Sequence, residues 1–180
     1  MLAINKRILR LLAIIAGLLL IPLVAMQFTH EVNWTLSDFF VMGSLLFMAG
    51  AAYEIVARRS NKTVYRGAVF LAILGGLLLF WVNAAVGIIG NEDQLVNLLF
   101  GLVFLVAVLG SAFVRFKASG MSKVLYATVL IQMAVPAMAL LIWPPPATSW
   151  SPGIEGVFLL CLFFSMIFAV SAFLFHRAAK

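Results

Sequence analysis

Charge and cysteine are what this sequence has least of. Its 180 residues include six carboxylates, at Glu31, Asp38, Glu54, Glu92, Asp93 and Glu155, two histidines and one cysteine. A lone Cys161 excludes an intramolecular disulfide and any multi-cysteine metal or iron–sulfur site; inside an apolar run, it is expected to pack as a small hydrophobe. The chain also lacks HExxH, GxSxG, a phosphate-cradling glycine loop and a buried carboxylate pair. The expectation is therefore a protein without catalytic residues, cofactor or metal. A membrane hydrolase using a serine or Cys161 is the enzymatic reading left open.

What the chain has in abundance is apolar surface. With 65% hydrophobic residues, 10% charged residues and a mean hydropathy of +1.17, it carries too little polar surface to coat a soluble globule. Six apolar runs are separated by polar punctuation: Ile8 to Met26, Leu36 to Val56, Val64 to Ile89, Leu95 to Val114, Val124 to Trp143 and Ile154 to Phe175. At about 1.5 Å per residue, each is long enough to cross a hydrocarbon layer of roughly 30 Å as a helix. The runs lack the alternation a membrane barrel needs. The expectation is an all-α, single-domain polytopic membrane protein, a bundle of six transmembrane helices.

The cations predict its orientation. Lys6, Arg7 and Arg10 open the first run; Arg58, Arg59, Lys62 and Arg66 bracket the second junction; Arg115, Lys117 and Lys123 bracket the fourth; Arg177 and Lys180 follow the last. The first, third and fifth junctions hold Glu31, Glu92, Asp93 and Glu155 and no Lys or Arg. The positive-inside rule then places both termini in the cytoplasm. This topology accounts for the net charge of +6 without nucleic acid, and membrane lipid headgroups are the expected counterions. It also puts His30 and His176 on opposite sides, where they cannot share a haem or zinc ion. Ile8 to Met26 is longer than a signal-peptide core, and Leu23 stands where cleavage after Ala25 needs a small residue, so the first helix is expected to be retained.

Ala49–Tyr53 (AGAAY), Leu109–Phe113 (LGSAF) and Ala169–Phe173 (AVSAF) recur at intervals of sixty near the cationic ends of the even-numbered helices. The spacing points to three helical hairpins in tandem, all oriented alike.

FTHEVNWTLSDFF, residues 28–40, concentrates polar groups in an otherwise apolar chain. Thr35 and Asp38 fit a capping box for the second helix, and Trp34 with Phe39 fits its hydrophobic staple. Asn91 is the equivalent expected cap for the fourth helix, and Ser151-Pro152 with Glu155 the expected start of the sixth. The rival reading of these acids is an outer-face cation site built from Glu31, Asp38, Glu92 and Asp93, with His30 nearby. PPPATSWSP, residues 144–152, reads as a stiff extended loop, and Pro22 and Pro136 fall inside helices.

Four polar groups within the spans qualify as a lining. Gln132 is near the middle of helix five, Asn83 about 9 Å below the outer end of helix three, and Asn97 in the first turns of helix four. Asn83 shares a face with Ala72, Gly76 and Gly87, which points it into the bundle. Glu54 is placed at the inner boundary, with Arg58 as its i+4 partner.

HEVNWTLSDFFVMGSLLF and WVNAAVGIIGNEDQLVNLLF resemble signature stretches of a group of small multi-pass inner-membrane proteins from bacteria. The resemblance covers most of the chain and departs from the group's pattern at Gln94, Leu95 and Val96. It implies residence in a bacterial inner membrane and implies no activity or site residues. Two functions are compatible with these readings. One is a non-enzymatic membrane component that packs with itself or with another integral protein. The other is a small transporter or channel for a neutral or weakly polar solute, lined by Asn83, Asn97, Gln132 and Glu54.

Overall fold

The computed structural model describes residues 6–29 and 32–180, and within them the regular structure is entirely helical. Six helices are long and apolar enough to cross a membrane: α1 (Lys6–Phe28), α2 (Leu36–Ala57), α3 (Thr63–Ala85), α4 (Gly101–Phe113, preceded by a 3₁₀ stretch at Leu95–Phe100), α5 (Ala118–Ile142) and α6 (Ile154–Ala179). The all-α, six-helix architecture expected from the apolar runs is therefore what the chain adopts. Pro22 and Pro136 both lie inside continuous helices.

The chain forms two compact units, the first ending at Glu54 and the second running from Ile55 to Lys180. In the first, α1 and α2 approach where α2 is small. Gly50 sits beneath Leu11, where an added Cβ would overlap the leucine side chain, and Gly43 faces Leu19. Ile15 is the buried residue of α1, while large side chains such as Ile14 and Ile21 are exposed. Such surface is stable only in an apolar solvent, which a bilayer supplies.

The second unit carries most of the buried core. Here α6 packs against both α5 and α3, and α5 also packs against α4. The α3–α6 seam closes where Gly75 admits Ile167 and Phe168; a Cβ on Gly75 would lie 2.8 Å from Ile167 Cγ2. One turn from Ile167, Ser171 Oγ donates to the Ala68 carbonyl at 2.7 Å. Gly110 likewise admits Val124 between α4 and α5. By contrast, α3 and α4 meet through side chains, including an edge-on Phe80–Phe104 pair with centroids 6.2 Å apart. The equivalent glycines of the first two repeat copies meet different neighbours, Gly50 the Leu11 side chain of α1 and Gly110 the Val124 side chain of α5.

The two ends of this unit differ in charge. At one end, Lys62 Nζ donates to the Ala178 carbonyl at 2.9 Å, neutralising part of the negative C-terminal end of α6. At the same end Tyr65 OH donates to the Phe116 carbonyl at 2.7 Å, and Arg59 lies over the Phe116 ring, 5.8 Å from its centroid. Arg115 and Phe116 turn the chain there with positive φ. Glu92, Asp93 and Glu155 lie in the loops and helix start at the other end, where Gly90 N donates to the Ser151 carbonyl at 3.2 Å.

Several boundaries differ from the expected ones. α5 begins at Ala118 rather than Val124, because Met121 and Ser122 bury there and extend the helix past the apolar run. Residues 144–152 do not run extended. Ala147 N returns to the Pro144 carbonyl at 2.9 Å, and the Pro145-Pro146 and Ser151-Pro152 bonds are cis.

Candidate functional site

The largest departure from the sequence reading lies at the acidic end of the second unit. α3 stops at Ala85 instead of continuing to Ile89, and residues 86–94 fold back as a loop with Ile88 and Ile89 fully buried. Gly87 and Gly90 adopt φ of +77°, a left-handed conformation that ends a helix and that other residues rarely take. At Gly87 a Cβ would also run into the Asn91 backbone.

Asn97 is the organiser of this loop. Its Oδ1 accepts from Ile88 N at 3.2 Å and Ile89 N at 2.9 Å, and its Nδ2 donates to the Ile89 carbonyl at 3.1 Å and the Asn91 carbonyl at 2.7 Å. Both donors and both acceptor sites of one buried carboxamide are therefore used on backbone. Asn91 does not cap the next helix with its side chain. Gln94 is the residue before the 3₁₀ stretch, and it too makes no side-chain cap. With its amide oriented to donate, Gln94 Nε2 instead reaches the carbonyls of Ile89 and Ser149, 3.2 Å each, tying this loop to the α5–α6 connection. Trp150, buried in that connection, donates from Nε1 to the Trp143 carbonyl at 3.0 Å.

Asn83 is nearer the end of its helix than expected, because α3 stops two residues later; Gly87 is beyond the helix and shares no face with it. Asn83 Nδ2 donates to the Asn97 carbonyl at 3.2 Å, while its Oδ1 is buried without a partner. Gln132 is deeper. It is fully buried on α5, with neither amide atom hydrogen-bonded, and the Cys161 thiol of α6 lies beside it. The structure thus joins Asn83 to Asn97 and sets Gln132 apart in the core. Glu54 belongs to the first unit, where Arg7 Nη1 lies 3.8 Å from Oε2. At that separation and exposure the ion pair contributes little.

The acids resolve differently. Asp38 Oδ2 accepts from Thr35 N at 2.7 Å and Thr35 Oγ1 at 2.8 Å, and Asp38 N donates back to Thr35 Oγ1 at 3.4 Å, forming the expected box. Trp34 and Phe39 supply the staple, edge to face at 5.2 Å. Glu155 is in the first turn of α6, whose cap is Gly153 with φ +111° rather than a serine side chain. Glu31 and His30, both part of the expected cation site, lie outside the described residues. Among the described residues, no three His, Cys, Asp or Glu side chains gather in a way that could hold a metal ion.

Sequence reasoning identified Asn97 as a polar group but not its role, since its partners are backbone atoms in a segment read as helix. The paired glycines, Gly87 and Gly90, were the available signal. Comparisons with family models, curated proteins and solved structures found no match to this chain.

Proposed function

We propose that this protein is a non-enzymatic component of a bacterial inner membrane, with its cationic ends in the cytoplasm, that packs with itself or with another integral membrane protein. The observation that supports it is how the second unit uses its polar side chains. Asn97, Tyr65, Ser171, Lys62 and Trp150 all bond to backbone carbonyls or amides and hold helices and loops in place. A scaffold needs such bonds; a reaction centre needs polar groups left for substrate. Membrane lipids surround the apolar faces, and anionic headgroups meet the Lys and Arg rim. Nucleic acid has no place in this reading.

The test is gentle extraction followed by native mass spectrometry. A homo-oligomer, or a stoichiometric second integral protein, is the expected result. A strictly monomeric protein with no companion would remove the reading.

A second reading, transport of a small neutral solute, is favoured by one observation: Gln132 offers an unpaired amide inside the bundle. Under it, Gln132→Leu and Asn83→Leu proteins fold normally in proteoliposomes and lose solute flux. Folding loss without a separable flux defect would count against it.

A further inference from the structure

The α5–α6 seam contains hydrogen-bonding groups that the fold leaves unmatched. Gln132 Nε2 and Oε1 have no nitrogen or oxygen partner, only the weakly bonding Cys161 thiol beside them, and the residue is 0% exposed. Ser165 Oγ on α6 is also buried and unpaired. Ser165 stands one turn along the same helical face from Cys161, which lies beside the Gln132 amide. A third feature falls at Gln132 itself. Pro136 is four residues beyond Gln132, and proline has no N–H, so the Gln132 backbone carbonyl is deprived of its ordinary helical donor. Side chain and main chain of one residue are thus both short of partners.

Leaving such groups dry in a low-dielectric interior is costly, and native interiors satisfy them with ordered water or a ligand. The chemistry of the guest follows from what faces it. An amide presents two donors and an acceptor, a hydroxyl presents one donor and two lone pairs, and the carbonyl adds a further acceptor. Gln132 is about 21 Å along α5 from Ala118 and about 15 Å from Ile142, so it lies near mid-depth. The charged residues of α5 and α6, Lys123, Glu155 and Arg177, all lie toward the helix ends, at least two turns from Gln132 or Ser165. Val135, Cys161 and Phe164, near Gln132 and Ser165 along their helices, are at most 1% exposed each, so this part of the seam is closed to its surroundings.

We infer that Gln132, Ser165 and the Gln132 carbonyl form an internal site for a small uncharged guest that both donates and accepts hydrogen bonds. Water is one source of that chemistry; a small neutral solute bearing an amide, amine or hydroxyl is the other. The site stands whether the protein serves assembly or transport.

Solution NMR of the full chain in lipid nanodiscs, with ¹⁵N in the side-chain amides of Gln27, Gln94 and Gln132, tests this directly. Gln132→Met, which preserves volume, assigns the Gln132 signal. The expected result is cross-relaxation between the Gln132 NH₂ protons and a non-protein resonance. A cross-peak at the water frequency identifies water; one at another frequency, matched by an added mass in native mass spectrometry, identifies a solute. A Gln132 NH₂ signal without either cross-peak overturns the inference. If Ser165→Ala then shifts that signal, a direct Gln132–Ser165 bond has replaced the guest. A rise in melting temperature for Gln132→Met, the mark of relieving a dry unpaired amide, would be a second result against it.

Discussion

Asn97 and Ile89 pair like neighbouring strands: the Asn97 Oδ1 accepts from Ile89 N at 2.9 Å while its Nδ2 donates to the Ile89 carbonyl at 3.1 Å. One side chain eight residues along thus satisfies both backbone groups of a fully buried isoleucine. The loop can be buried because of this pairing, since unpaired backbone in an apolar setting is strongly disfavoured.

Replacing Asn97 by Ala should therefore cost at least about 3 kcal/mol, as several buried backbone groups lose partners worth about 1–3 kcal/mol each. Asn97→Asp retains the acceptor bonds to Ile88 and Ile89 but buries a charge and turns its second oxygen against the Ile89 and Asn91 carbonyls, so its loss should be at least that of Ala. Thermal unfolding in detergent, followed by circular dichroism, checks the order. An Asn97→Ala protein as stable as wild type would contradict the assigned role.

Gly75→Ala should destabilise the second unit by about 1–3 kcal/mol through overpacking against Ile167. Removing the opposing Cγ2 methyl, in the double variant with Ile167→Ala, should cost less than the sum of the two single losses. The double-mutant cycle measures the coupling, and strictly additive losses would show that the two positions do not meet.

Thr35→Ala removes the hydroxyl of the capping box and should cost about 1 kcal/mol, felt locally at the start of α2. Hydrogen exchange at the amides of Asp38 and Phe39 should quicken, while exchange in α5 and α6 stays unchanged. Uniform acceleration across the chain would instead indicate a global effect.

Orientation is testable because Cys161 is fully buried and gives little labelling background. In intact cells, Asn61→Cys and Ser119→Cys should resist a membrane-impermeant maleimide, and Asn91→Cys and Ser149→Cys should react. The reverse pattern would place the cationic end outside.

Helix number and the Thr35–Asp38 box were legible in the sequence because each depends on short-range chemistry: run length against bilayer thickness, and a hydroxyl three residues before a carboxylate. The end of α3 was not legible. Val86, Ile88 and Ile89 continue the apolar run, and hydropathy does not distinguish an apolar helix from an apolar loop pinned by a distant amide. The same limit hid Gln132, whose burial was foreseeable but whose lack of partners depends on which residues of α6 face it. Helix pairing was obscured for a third reason. A repeat in sequence records equivalent small residues, and small residues permit close approach to any neighbour rather than a particular one.

The packing of α3 on α6 has a consequence for biosynthesis. The ribosome completes α3 some seventy residues before α6 is made, roughly the span from Ala85 to Ile154, so the Ala68 carbonyl and the bare face at Gly75 must wait in lipid for their partner. Until the last helix is inserted, the second unit has no closed interior, and a chain stalled before Ile154 should be a preferred target of quality-control proteases.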